Sequence, residues 1–224
     1  MTITEPLPLN VVMNGQDESC AGACDGWVQV TVTGGTGNPA VDFTYIWTSV
    51  PAGQVGPGQG TDSIFSLCAG TYTVNITDSA GCPASGQFTV NPQTPIIDNL
   101  VTTDLSCNGV CNGTATVSPT GGVPPYSVSW NGGPAVIVPA LGSSTETGLC
   151  AGNHGVLITD ANNCPLGVNF TINEPPALTT TTNTTDVSCF GACDGTAITI
   201  PGGGTAPYNV VWNSIPAGPP FPIN

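Results

Sequence analysis

Asp17-Glu-Ser-Cys20-Ala-Gly-Ala-Cys24-Asp25-Gly26 returns as Asp104-Leu-Ser-Cys107-Asn-Gly-Val-Cys111-Asn112-Gly113, and again as Asp186-Val-Ser-Cys189-Phe-Gly-Ala-Cys193-Asp194-Gly195. Each copy sets two cysteines four positions apart ahead of a glycine. Each then runs into alternating apolar and polar residues: Trp27-Val-Gln-Val-Thr-Val32, Thr114-Ala-Thr-Val117 and Thr196-Ala-Ile-Thr-Ile200. That alternation is the mark of a half-buried strand. A Gly-Gly turn follows, and then an aromatic ladder of period two: Phe43, Tyr45 and Trp47, matched by Tyr126, Val128 and Trp130 and by Tyr208, Val210 and Trp212. Residues two apart share one face of a strand, so the ladder predicts a buried face.

Working outward from these stretches gives a period. Cys20 to Cys107 is 87 positions, while Cys107 to Cys189, Cys68 to Cys150 and Cys82 to Cys164 are each 82. Most of the extra length of the first copy lies where Thr36 to Phe43 replaces the shorter Val123-Pro-Pro125, a loop insertion of low cost. Residues 1–6 then read as the end of a preceding repeat, 7–93 as a first repeat, 94–175 as a second and 176–224 as part of a third. Prolines at 6, 8, 92, 95, 175 and 176 predict stiff, short junctions. The threonine run 179–185 is either a first strand or a looser linker. Further short strands over Tyr72–Ile76, Phe88–Val90 and their counterparts Val156–Ile158 and Phe170–Ile172 complete each unit. The expected class is all-β: tandem immunoglobulin-like β-sandwich repeats of about 82–87 residues.

Composition narrows the function. The 224 residues hold no Lys or Arg against 14 Asp and Glu. Nucleic-acid binding rests on cations displacing counterions, so that class is excluded, and anionic membrane surfaces are disfavoured for the same reason. No apolar run approaches the ~18 residues of a helical span, so no membrane insertion is expected. Thirty Gly and 22 Pro oppose helix. Without Lys or Arg, burial, backbone hydrogen bonds and covalent links must hold the fold. Ten regularly spaced cysteines predict a disulfide framework made in an oxidising compartment. Met1 is followed by neither a basic nor an apolar leader region, and Thr2-Ile-Thr-Glu-Pro6 reads like a repeat end, so a segment of a longer secreted chain is expected.

Taken as an ordered set, Asp-x-Ser-Cys-x-Gly-x-Cys-Asp-Gly, Gly-Gly-Thr-x-Pro-Tyr, Leu-Cys-Ala-Gly-x-Tyr-x-Val, Thr-Asp-x-x-Gly-Cys and Thr-Ile-x-Glu-Pro resemble the SprB repeat of very large surface adhesins in gliding Bacteroidota. The resemblance implies type IX secretion, outer-membrane export and display at the cell surface as an extended filament or stalk. Asn112, Asn163 and His154 depart from the pattern, standing where the first repeat has Asp25, Gly81 and Tyr72; the third copy lacks its Leu-Cys-Ala-Gly half. Family members that keep only the first and last cysteines imply the pairs Cys20–Cys82 and Cys107–Cys164, leaving Cys24–Cys68 and Cys111–Cys150. The rival is a local Cys20–Cys24 link. In the loop-entropy model the long link stabilises by roughly 4 kcal/mol and the local one by about 2 kcal/mol. Cys189 and Cys193 have no partner within this segment, and the absent half of the third repeat is expected to supply them.

Other readings of the polar residues are weaker. Four cysteines could hold zinc, but their spacing is not the usual double pair and secretion favours oxidation. His154 close to Cys150 suggests a thiol–imidazole couple, against which stands a rim histidine at a strand position. No catalytic residue and no cofactor is expected. Asp17, Asp25, Asp104, Asp186 and Asp194 are candidate Ca²⁺ ligands, the competing reading being that they cap turns. Ser63 and Ser79 fit a short O-glycosylation motif in Asp62-Ser-Ile64 and Asp78-Ser-Ala80. The preferred expectation is a structural and adhesive module whose partners are neighbouring repeats of the same long chain, and surface polysaccharide or other cell-surface proteins. The alternative is carbohydrate or partner binding through the variable loops 36–43, 51–61 and 132–146, or a subunit of an extracellular filament.

Overall fold

The computed structural model describes residues 5–213, and every regular element among them is a β-strand. In the first repeat these are β1 (Asn10–Gln16), β2 (Gly26–Thr33), β3 (Thr44–Val50), β4 (Ser63–Leu67), β5 (Gly70–Thr77) and β6 (Pro83–Val90). The second holds β7 (Val101–Thr103), β8 (Gly113–Val117), β9 (Tyr126–Trp130), β10 (Val136–Val138), β11 (Ser144–Leu149), β12 (Gly152–Thr159) and β13 (Pro165–Ile172). The third contributes β14 (Thr179–Thr185) and β15 (Thr196–Gly202), so the threonine run is a strand, paired antiparallel from Thr179 opposite Gly202 to Thr185 opposite Thr196.

The first repeat is an immunoglobulin-like sandwich of two antiparallel three-stranded sheets, ordered β1-β2-β4 and β3-β5-β6. Burial alternates strictly along β2 and β3, as the sequence pattern requires. Val28, Val30 and Val32 face inward from one sheet and Tyr45, Trp47, Tyr72, Val74 and Ile76 from the other, joined by Ile64, Leu67 and Val90 in one core. Each fully buried aliphatic side chain contributes about 1.5–3 kcal/mol of transfer free energy.

Strand pairing fixes two poles. Gly70 lies opposite Val90 and Val50 opposite Thr71 at one end of the β3-β5-β6 sheet; Thr77 lies opposite Pro83 and Thr44 opposite Thr77 at the other. Gly26 of β2 faces Leu67 at the end of β4, which puts the loops carrying Cys20, Cys24 and Cys68 together at the first pole. Cys82 follows the β5–β6 turn at the second pole, an eight-residue strand or about 25 Å away. The chain reaches β4 by an unpaired crossing through residues 51–62, whereas the second repeat makes the same crossing with β10 paired to β9.

The second repeat uses sheets ordered β11-β8-β7 and β10-β9-β12-β13, with Ala115, Val117, Tyr126, Val128, Trp130, Val156 and Ile158 buried at the positions their counterparts hold in the first. In the third copy the ladder is not covered: Tyr208, Val210 and Trp212 are 42%, 45% and 58% exposed. The expectation of a buried face therefore holds for two copies of the three, since no described strand runs over Tyr208–Trp212.

The chain divides into two compact units that do not follow the repeat boundaries. One comprises the chain up to Leu100 with Val117–Ser144 and Gly155–Val168; the other comprises Val101–Thr116, Thr145–His154 and the chain from Asn169. Within the first unit, the Gly121-Gly122 turn closes on the junction. Gly122 donates its N–H to the Thr94 carbonyl at 2.9 Å, and a Cβ on Gly121 (φ +70°) would stand 2.0 Å from the Pro95 carbonyl oxygen. Most of the predicted residue 1–6 tail and the end of the 176–224 segment lie outside the described residues.

Candidate functional site

The repeated cysteine loop is organised by carboxylates acting on backbone amides. Asp25 accepts the Ser19 N–H at 2.8 Å and the Ser19 hydroxyl, closing the loop across six residues. Those two bonds, hydroxyl first, hold the Asp25 carboxyl below its usual range. Asp194 accepts from Ser188 in the same way and is lowered for the same reason. Asn112 repeats the geometry with its amide: its Oδ1 accepts the Ser106 N–H at 3.1 Å, and its Nδ2 donates to the Ser106 hydroxyl at 2.6 Å. Asp17 accepts the backbone and side-chain N–H groups of Asn91, and Asp104 does so from Asn173, each backbone bond 2.8 Å. Of the five Ca²⁺ candidates, Asp25 and Asp194 accept from serines six positions back, Asp17 and Asp104 from the distant Asn91 and Asn173, and Asp186 is exposed.

Glu18, in the variable position of the motif, is buried to 3% exposure, where the other copies have Leu105 and Val187. Its carboxylate accepts the amides of Gly22, Cys24 and Ala69 at 3.1–3.3 Å. Burial, with the Glu18 charge second, pushes the Tyr72 hydroxyl upward. Glu18 was not anticipated, since one Glu at a variable position carries no sequence signal. It also forms, with Cys24 and Cys68, a cluster of metal-ligating residues, but those two sulfurs are bonded to each other and offer no thiolate.

Cys24 is joined to Cys68 and Cys111 to Cys150, with Cα atoms 3.8 Å and 4.0 Å apart. Cys20 is joined neither to Cys82 nor to Cys24. Its partner is Cys164, 144 positions away in the next repeat, with an S–S distance of 1.99 Å and a Cα–Cα distance of 5.6 Å. Cys82 and Cys107, the expected partners of Cys20 and Cys164, carry exposed thiols, as do Cys189 and Cys193. The correction follows from the poles: a disulfide needs Cα atoms within about 7 Å, and the first and fourth cysteines of one sandwich sit a strand length apart. The first pole of one repeat instead meets the second pole of its successor. Asn162 Nδ2 donates to the Ser19 carbonyl at 3.1 Å beside this bond, and Cys20, Gln93, Thr94, Ile96 and Pro165 enclose a cleft of about 240 Å³ around it.

The hairpin that presents the fourth cysteine is built the same way in both repeats. Asp78 accepts the amides of Cys82 (2.7 Å), Ala80 (3.0 Å) and Thr36 (2.9 Å); Asp160 accepts those of Cys164, Asn162 and Val123, each at 2.9 Å. Both carboxylates are buried, and the Cys82 amide is the first cause of the lowered Asp78 carboxyl. His154 takes the place of Tyr72: the Tyr72 hydroxyl donates to the Cys68 carbonyl at 2.7 Å, and His154 Nε2 lies 2.9 Å from the Cys150 carbonyl, its ring stacked 5.7 Å from Phe170. Ser63 is half-buried with its hydroxyl on Asp62, while Ser79 is exposed at a hairpin tip with its hydroxyl on the Thr36 carbonyl.

One more feature belongs to the first repeat only. Trp27 and Phe65 are cross-strand partners on the outer face of β2 and β4; with Gln29 and Ser63 they line an open groove of about 220 Å³. Phe65 is 50% exposed, and Trp27 Nε1 donates to Gln16 Oε1 at 3.0 Å.

The family model of the SprB repeat matches residues 99–135. Among solved structures, the Dpr11 IG1 domain bound to DIP-gamma IG+IG2 is similar at 12% identity over 75% of this chain and 99% of that one, with a TM-score of 0.32. The S-layer protein rSbsC(31-844) is similar at 13% identity over 89% of this chain and 37% of that one, with a TM-score of 0.34. A comparison with curated proteins returns no significant match.

Proposed function

Because residues 99–135 carry an SprB repeat, a module of cell-surface proteins, we propose that the chain is a structural and adhesive segment of a large surface protein, extended as a filament or stalk and used in gliding motility or surface adhesion. Export by the type IX route of Bacteroidota goes with this reading. We assign no catalysis to the chain. The observation that carries the proposal is the Cys20–Cys164 bond, which ties a loop of one repeat to a hairpin of the next and so braces a junction, not only a domain. Bracing junctions suits a spacer that must transmit force along the chain. Small-angle scattering of the oxidised chain tests it: an elongated particle that shortens or loosens when Cys20 and Cys164 are both replaced by Ser supports the stalk, and a compact globule refutes it.

A second reading, carbohydrate recognition, is favoured by the Trp27–Phe65 pair. Flat aromatic faces flanked by Gln29 and Ser63 offer apolar contact and hydrogen bonds together, the combination a sugar ring needs. The second repeat has Thr114 and Thr147 at these positions, so binding would be confined to the first. On a glycan array, Trp27→Ala and Phe65→Ala should each abolish binding, whereas replacing loops 36–43 or 132–146 should not. No binding by the parent chain leaves the spacer role as the only one, and binding unchanged in both variants places any glycan site away from Trp27 and Phe65.

A further inference from the structure

The joint made by Cys20 and Cys164 has a receiving side and an inserting side, and the receiving side is built a second time. In the first joint Cys20, Gln93, Thr94 and Ile96 receive the hairpin of Asp160 and Cys164. Their counterparts Cys107, Pro175, Pro176 and Leu178 line one cleft of about 580 Å³, whose remaining wall includes Thr205 and Tyr208. The turn beside it is preformed. Gly203 and Gly204 adopt φ of +64° and +59°, as Gly121 and Gly122 adopt +70° and +53°. A Cβ on Gly203 would stand 2.0 Å from the Ala177 carbonyl oxygen, the same distance as at Gly121 from Pro95. Gly204 donates its N–H to Pro176 at 2.8 Å, as Gly122 does to Thr94. In the first joint the residue after this turn, Val123, gives its amide to Asp160. Thr205 holds that position here and faces the cleft.

We propose that Cys107 is the receiving half of a second joint: it forms a disulfide with the cysteine of an Asp-x-x-x-Cys hairpin built like Asp160–Cys164, which seats in this cleft with its aspartate on the Thr205 amide. The inference rests on the repeat geometry and not on the role at the cell surface, so either can fail without the other. The bond forms by exchange with a small disulfide such as oxidised glutathione. The Cys107 thiolate attacks one sulfur, the glutathione S–S bond breaks, and one glutathione leaves as thiol. The hairpin thiolate then attacks Cys107 Sγ and releases the second. Two protein thiols are oxidised, two electrons reduce one glutathione disulfide, and the two thiol protons end on the two glutathiones.

The hairpin of the second repeat supplies a probe, since a synthetic peptide of residues 152–172 carries Cys164 as its only cysteine. The full chain, with its native disulfides, is equilibrated with this peptide in a glutathione buffer and mapped without reduction. The expected product is a Cys107–peptide bond in at least ~tenfold excess over bonds to Cys82, Cys189 and Cys193 together. A Cys107→Ser chain should lose the adduct without gaining it elsewhere, and a peptide with Asp160→Ala should lose the preference. An even spread over the exposed thiols, an unaffected Asp160→Ala peptide, or Cys82–Cys107 bonds between chains in preference to the peptide adduct would each overturn the assignment.

Discussion

Asp160 Oδ1 accepts the amide of Cys164 at 2.9 Å, which fixes the hairpin that carries Sγ to Cys20. The other carboxylate oxygen holds Val123, so one buried side chain ties the hairpin to the Gly121-Gly122 turn. Leaving a buried amide unpaired costs about 1–3 kcal/mol. Asp160→Ala should therefore lower the unfolding free energy by about 2 kcal/mol or more, read from urea denaturation. Asp160→Asn, which keeps both positions but only one accepting oxygen, should lose less.

Tyr72 and His154 perform one task in two chemistries, reaching the carbonyl of the third cysteine in their own repeat. Tyr72 is completely buried, whereas His154 is half-buried. Tyr72→Phe should cost about 1 kcal/mol, the net worth of one hydrogen bond. His154→Tyr should cost nothing or stabilise slightly. Thermal melts of the two variants check both signs, and a large loss from His154→Tyr would count against the equivalence.

Acid should act through the capping carboxylates. Asp25, Asp78 and Asp194 are held below their ordinary value near ~3.9 by bonds from Ser19, Cys82 and Ser188. A carboxyl lowered on folding contributes stability that is complete above its unfolded value and is lost as pH falls through its folded one. The same titration takes the net charge from −14 toward zero, which relieves self-repulsion and masks the effect in the parent chain. The comparison with Asp78→Asn isolates it. The variant should melt below the parent at any pH above about 4, and the gap should close as pH falls through the lowered folded-state value of Asp78.

Cys24–Cys68 and Cys111–Cys150 close 44 and 39 positions. Each should stabilise by about 4 kcal/mol in the loop-entropy model. Replacing both members of one pair by Ala should cost that much in oxidised protein and nothing in reduced protein, as followed by denaturant melts with and without dithiothreitol.

Much of the fold was readable because its signals are local. The period-two ladder Phe43, Tyr45, Trp47 needs only the strand to place its face, and those three residues are at most 7% exposed. The caps were foreshadowed by Asp25 and Asp194 six positions after Ser19 and Ser188. The partner of Cys20 was not legible. The resemblance to family members that keep only the first and last cysteines implies Cys82, and loop entropy favours that pair over the local Cys20–Cys24 link. Residues 51–62 cross the sandwich without pairing, so β4 runs in the same direction as β3 and Cys82 ends at the pole opposite Cys20. Loop entropy ranks only pairs that geometry permits. The uncovered Tyr208, Val210 and Trp212 show the same limit, because a ladder predicts an inward face only where a second sheet lies over it.

The account turns on which cysteine holds Cys20, and non-reducing peptide mapping answers that directly. Trypsin finds no Lys or Arg, but chymotryptic cleavage leaves Cys20 and Cys24 on one peptide, residues 10–27, linked through Cys24 to residues 68–72. The third member of that cluster should be residues 158–166, carrying Cys164. A cluster completed by residues 73–88, carrying Cys82, would contradict the junction bond and the arrangement of repeats built on it.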